Sequence, residues 1–289
     1  MRIFAMRKQI TLFILFFTLL AATTFGAIGL RKSTVAQPKK DLGVDFPQIA
    51  TNTNTGDSLI IWLESTDNGG QITGRFLNAS GGPKAPAFKV FADYWIYDPA
   101  IAYNPVTNQY LVVFDDRPTY AERNTFGLLL DSTGKLLAEP INISLALKQN
   151  KNWNPRIVFN PKTAGYAVAW EHVPDDGTFE LVAASISKDG KVAHPVVIKQ
   201  AEGDFGPHSA LGCTPMDLQY HAPSGKLLVT YYAVRPDGAE DYWLATLDPL
   251  LKGKVPASAS AKLSKQPISP NGNYYDGFEG ASIALHDNT

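Results

Sequence analysis

Apolar and polar positions along this chain fall into a phrase that recurs four times. Pro47-Gln48-Ile49-Ala50, Pro99-Ala100-Ile101-Ala102, Pro155-Arg156-Ile157-Val158 and, more loosely, Pro215-Met216-Asp217-Leu218 each open a unit. Twelve positions after each proline an apolar run begins: Leu59-Ile60-Ile61-Trp62, Leu111-Val112-Val113-Phe114, Ala167-Val168-Ala169-Trp170 and Leu227-Leu228-Val229-Thr230. An asparagine stands five positions after three of the prolines (Asn52, Asn104, Asn160), and turn residues such as Asn108, Gly165 and Gly225 follow. Two short apolar runs around a tight polar connection predict a pair of antiparallel strands.

Each unit continues with a second strand pair: Ile72 to Leu77 then Phe88 to Phe91, Phe126 to Leu130 then Ile141 to Ser144, Phe179 to Ile186 then Val196 to Lys199, and Tyr242 to Leu247 then Ala261 to Ser264. The turns between them, Asn78-Ala79-Ser80-Gly81, Asp131-Ser132-Thr133-Gly134 and Ser187-Lys188-Asp189-Gly190, carry the glycine that a tight reversal needs. The prolines recur at separations of 52, 56 and 60 residues. Four strands at that period predict an all-β fold, a β-propeller of four recognisable four-stranded blades. A four-stranded meander cannot bury both faces alone, so blades must stack on one another. Ile49, Ile101 and Ile157 are expected to be buried on innermost strands, and Trp62, Phe114 and Trp170 to pack between blades. Ala281-Ser282-Ile283-Ala284, 66 residues after Pro215, reads as the first strand of a fifth blade. The ring is expected either to close through that lone strand or to be incomplete, and the spacing favours a longer propeller.

Residues 1–40 are different material. Arg2, Arg7 and Lys8 precede an uncharged apolar stretch from Ile10 to Leu30, which reads as a signal peptide or an N-terminal membrane anchor followed by a linker. Thr34-Val35-Ala36 offers a small-residue cleavage site, whereas Arg31 and Lys32 oppose cleavage, so both readings stand. No cysteine lies nearby to carry a lipid. The positive flank predicts an extracytoplasmic location (secreted, periplasmic or cell-surface) for the propeller, residues 41–289, with membrane contact only through the N-terminal segment. Charged residues make up 18% and the net charge is −1, which leaves no basic face for nucleic acid. The single cysteine, Cys213, rules out an internal disulfide. With strands rich in Val, Ile, Leu and aromatics, the chain resembles bacterial exported β-propeller repeat proteins.

Candidate chemistry lies at the blade openings, where leading loops reach one rim. Asp98 precedes Pro99, Asp45 lies two before Pro47, and Glu279 lies two before Ala281. Asp98-Pro99 and Glu279-Gly280 resemble, more weakly, the five-bladed arabinanase and xylosidase type of glycosidase. There an Asp-Pro opening an inner strand supplies the base and a Glu-Gly on a later blade the acid. The resemblance implies Asp98 as base and Glu279 as acid, although that family's base belongs to the first blade and Asp98 opens the second. Glycoside hydrolysis needs two such carboxyls, ~5 to 10 Å apart, across the scissile bond. The competing reading makes Asp98 and Asn154, at one repeat position, turn caps that bond nearby backbone N–H groups.

Trp95, Tyr97 and Trp153 sit in equivalent rim loops and offer rings for stacking on a sugar or peptide, or plugs for the blade junctions. Ser65-Thr66-Asp67-Asn68-Gly69-Gly70 resembles the Asp-box turn of sialidase-type propellers but lies between a second and third strand. That turn, Asp115-Asp116 and Asp175-Asp176-Gly177 offer calcium oxygens without a full loop's spacing, so solvated turns are expected. His172, His194, His208, His221 and His286 show no metal spacing, and no cofactor is expected. Cys213 with His208 reads better as a small buried thiol than as a nucleophile pair. The leading functional expectation is a non-catalytic binding or scaffold propeller that engages glycan or protein through Trp95, Tyr97 and Trp153. The alternative is a glycoside hydrolase-like five-bladed propeller using Asp98, Glu279 or Asp45.

Overall fold

Strands buried on both faces must each find a neighbouring sheet, and the repeat units do this by stacking. A computed structural model describes residues 43–66, 69–93, 95–119, 122–147, 151–201, 212–235, 239–265 and 283. The apolar N-terminal stretch, Glu279, Tyr94, His208 and His286 lie outside the described residues, and among those described no helix is long and apolar enough to cross a membrane.

Each unit forms one antiparallel sheet of four strands in chain order. The first blade holds β1 (Val44–Thr51), β2 (Ser58–Thr66), β3 (Gly69–Leu77) and β4 (Phe88–Asp93). The second holds β5 (Ile96–Asn104), β6 (Gln109–Thr119), β7 (Glu122–Asp131) and β8 (Ile141–Asn142). The third holds β9 (Asn152–Asn160), β10 (Gly165–His172), β11 (Glu180–Ile186) and β12 (Val196–Gln200). The fourth holds β13 (Cys213–His221), β14 (Lys226–Val234), β15 (Glu240–Leu247) and β16 (Ser260–Lys262). β5 packs against β1, β9 against β5 and β13 against β9, so the first strands line the inside of the ring. Gly81, Gly134 and Gly190 take the expected left-handed conformation, with φ of 79°, 86° and 81°.

Alternate side chains of each strand point to opposite neighbours, which divides the core into three layers between blades. Phe114 and Ile101 join Leu59, Ile61 and Ile72 between the first and second blades. Trp170 and Ile157 join Leu111, Val113 and Leu129 between the second and third. Tyr231 and Leu218 join Ala167, Ala169 and Leu181 between the third and fourth. Ile49 departs from expectation: it is 56% exposed. Ile101 and Ile157 point back at the preceding blade, and Ile49 has no preceding blade among the described residues. Trp62 is buried outside these three layers, with Nε1 donating to Glu64 Oε1 at 2.7 Å.

The repeated asparagine does more than turn the chain. Asn52, Asn104 and Asn160 are buried, and each Oδ1 accepts backbone N–H groups of its own turn, such as Asn54 N at 3.0 Å, Val106 N at 3.0 Å and Lys162 N at 3.1 Å. Each Nδ2 reaches the next blade: Asn108 Oδ1 at 3.2 Å, the Ala164 carbonyl at 2.9 Å and the Pro249 carbonyl at 2.6 Å. In the third blade the left-handed turn residue is Ala164, with φ of 50°, rather than the glycine after it. Gly165 instead opens β10, where a Cβ would meet the Ile186 carbonyl at 2.3 Å.

Candidate functional site

At the opposite end of the inner strands the repeat builds a β-bulge. In the first three blades the two residues ending in proline face a single partner, so register shifts between Asp45 and Gln48, between Tyr97 and Ala100, and opposite Trp170. A bulge re-aims the strand and frees a side chain from the ladder. Phe46, Asp98 and Asn154 occupy it with φ of 53°, 48° and 55°, a conformation that costs energy for non-glycine residues. Asp98 and Asn154 are therefore bulge residues, not the turn caps that the sequence suggested.

What each bulge residue meets separates the second blade from the third. Asn154 Nδ2 donates to Glu171 Oε2 at 3.4 Å. Glu171 is fully buried and also receives Gly212 N at 2.7 Å, Cys213 N at 3.3 Å, Thr214 Oγ1 at 2.7 Å and Trp153 Nε1 at 2.9 Å. Burial pushes its pKa up while these donors pull it down. It locks the third blade to the fourth. Asp115 occupies the same repeat position in the second blade and is equally buried, but its environment differs. Among the described residues its oxygens receive no backbone donors; they face the Asp98 carboxyl and, at 3.2 Å, Arg123 Nε.

Burial raises the Asp115 pKa far above the carboxylate range, and the charge of Asp98 adds to the shift against Arg123 and Arg117. Burial raises Asp98 too, opposed by Arg156, Arg123, the bond with Asp115, and Arg117. Burial raises both carboxyls, and the two acids titrate as one pair. Asp98 is half-buried on the inner strand, whereas Asp115 is fully buried. Asp115 and Asp116 thus lie within β6, not in the solvated turn expected of them.

Rings and arginines surround the pair. Trp95, 41% exposed, stacks on Tyr97 with centroids 6.4 Å apart and planes 13° apart. Arg117 lies 5.0 Å from the Tyr97 ring, and Arg123 lies 5.6 Å from Tyr97 and 5.4 Å from Trp153. Trp153 is half-buried, with its edge against Phe179 and its N–H committed to Glu171. Arg156 donates from Nε to the Met216 carbonyl at 2.8 Å, and the Asp98 and Asp217 carboxyls act on it from either side. Asp217 accepts Ile283 N at 2.7 Å, which places residue 283 beside β13.

Asp45 is exposed on β1, at the repeat position of Tyr97 and Trp153 rather than that of Asp98. Arg123, Arg156 and Glu171 escaped the sequence reading, and Asp115 entered it only as part of a solvated turn. The signal for the two acids was their common place one residue after Phe114 and Trp170. Asp176 accepts from Thr178 in an exposed turn. Among the described residues no group of three His, Cys, Asp or Glu side chains is placed to hold a metal ion. The Cys213 thiol is buried and pushed up by burial and by Glu171, which removes it as a nucleophile.

No family model matches the chain, and no curated protein does. Solved structures do match. An endo-arabinase from Bacteroides thetaiotaomicron superposes with a TM-score of 0.51 at 14% identity over 82% of this chain and 85% of that one. A thermostable family-43 glycoside hydrolase gives 0.50 at 13% identity, over 82% of this chain and 77% of its own. This likeness is one of fold, a propeller that glycoside hydrolases also use.

Proposed function

We propose that the chain is an extracytoplasmic carbohydrate-active propeller of the glycoside hydrolase kind, with the mouth around Asp98 as its active site. One observation carries the reading. Where the third blade pairs an amide with a fully satisfied carboxylate, the second sets the Asp98 carboxyl, on a strained bulge facing the inside of the ring, against the fully buried Asp115, and burial raises both. Two acids held together away from water destabilise a fold, and such strain is retained where chemistry uses it.

As the base, Asp98, the more exposed of the pair, takes a proton from the attacking water as its oxygen bonds to the anomeric carbon. A second carboxylic acid across the sugar gives a proton to the departing glycosidic oxygen. Glu279 is the candidate the sequence supplies for that acid, with Asp45 on the first blade and Asp217 on the fourth as the others. Trp95 and Tyr97 offer the sugar an apolar platform. The glycosidase neighbours support this reading over a purely structural role.

A second reading rests on Trp95, whose exposed ring stacked on Tyr97 is also what a non-catalytic glycan-binding surface would present. Turnover of a panel of aryl arabinosides, xylosides and galactosides by the wild type and by Asp98→Asn separates the two. The proposal expects turnover that falls at least ~100-fold in Asp98→Asn with the fold intact. Absent turnover, with glycan retention that depends on Trp95, would establish binding alone.

A further inference from the structure

Arg123 has a more specific place than charge balance requires. It stands at the start of β7, where it bridges to Lys151, and its carbonyl accepts Asn152 Nδ2 at 3.4 Å, so its backbone is tied to the third blade. Its guanidinium is flanked by Tyr97 from the second blade and Trp153 from the third, at 5.6 and 5.4 Å. Its Nε lies 3.2 Å from the buried Asp115 Oδ2. A planar cation between two rings gives up little freedom when it pairs with a carboxylate, and the rings partly replace the water it loses.

We propose that Arg123 is a positioning residue for the carboxyl pair: flanked by Tyr97 and Trp153, it keeps Asp115 beneath Asp98 and sets how many protons the two acids hold. The proposal rests on the reading of Asp98 as a proton-transfer group. The groups that face the pair are Asp98 and Tyr97 from β5, Asp115 and Arg117 from β6, Arg123 from β7 and Arg156 from β9, with Asp217 of β13 acting through Arg156. Among the described residues Arg123 makes an ion-pair contact with Asp115, and Arg156 donates to the Met216 carbonyl. Without Arg123, the buried acid would lose that cation. Both carboxyls would then hold protons to higher pH.

The test is a ¹³C titration of aspartate carboxyl carbons in the full chain, assigned with Asp98→Asn and Asp115→Asn, for the wild type, Arg123→Gln and Arg123→Lys. Arg123→Gln is expected to raise the midpoint of the pair by about one pH unit or more, and Arg123→Lys, which keeps the charge, to shift it less than half as far. The acidic limb of the kcat/KM profile should move up in parallel. A midpoint that Arg123→Gln leaves in place, or one that Lys moves as far as Gln, overturns the proposal. Arg123→Met fills the slot between the rings with an apolar chain and answers the same question if Gln does not fold. A wild type without turnover refutes the catalytic role of Asp98 and leaves this titration readable.

Discussion

The repeated asparagine yields a sharp prediction about what joins the blades. Asn104 is fully buried; its Nδ2 donates to the Ala164 carbonyl of the next blade at 2.9 Å and its Oδ1 accepts Val106 N at 3.0 Å. Asn104→Ala leaves a part-buried carbonyl and a turn N–H without partners, at the lower end of ~1–3 kcal/mol each, so a loss of about 2 kcal/mol is expected. Asn104→Asp separates the two roles. Its carboxylate can still accept from the turn but faces the Ala164 carbonyl, oxygen against oxygen, whereas the protonated acid can donate to that carbonyl as the amide did. Its folded-state pKa is therefore raised. The stability deficit should be small below the unfolded value of ~4 and grow as pH rises through the folded value. Urea unfolding of the wild type and both variants at pH 4.0 and pH 7.0 measures this. An Asn104→Asp deficit equal at the two pH values would show that the bond between blades contributes nothing, and an Asn104→Ala loss below ~1 kcal/mol would refute the whole account of the repeat.

Trp170→Ala should lose about 3–5 kcal/mol in the same assay, because Trp170 is fully buried between the second and third blades and its Nε1 donates to Asn152 at 3.0 Å; a loss below ~1 kcal/mol would mean that the layer collapses around the gap. Asp115 is raised from 3.8 to about 8, so the wild type should lose stability as pH rises between those values, by up to ~1.4 kcal/mol per pH unit. Asp115→Asn removes that titration, and its stability advantage should widen with pH across the window; parallel stability curves for the two proteins would contradict the raised Asp115 pKa.

Much of the blade pattern was legible because a proline and an apolar run keep one spacing in all four units, with an asparagine between them in three. β8 is shorter than the sequence suggests: it pairs through Ile141 and Asn142, and the chain then turns through a 3-10 segment over Ile143–Ala146, where Ser144 Oγ accepts Thr125 N at 3.2 Å. Ile49 was misplaced because its burial depends on a neighbour that its own periodicity does not specify. The acids behind the site were harder to see. Asp115 reads as the polar end of an apolar run, and nothing local says that Asp98, 17 residues earlier, returns to lie over it. Arg123 belongs to a segment without alternation, and its ring partners come from two different blades. The asparagine was legible as a turn residue but not as a bond between blades, since Ala164 lies 60 residues away.

The central claim, that the mouth around Asp98 takes a glycan, is tested most directly by indole N–H spectra of Asp98→Asn as arabino- and xylo-oligosaccharides are added. Trp62, Trp95, Trp153, Trp170 and Trp243 each contribute one signal. The account predicts that Trp95 shifts most, that Trp153 follows through Arg123, and that Trp62, Trp170 and Trp243 stay in place. Saturable shifts confined to Trp243 or Trp62, or no shift with any glycan tried, would contradict it.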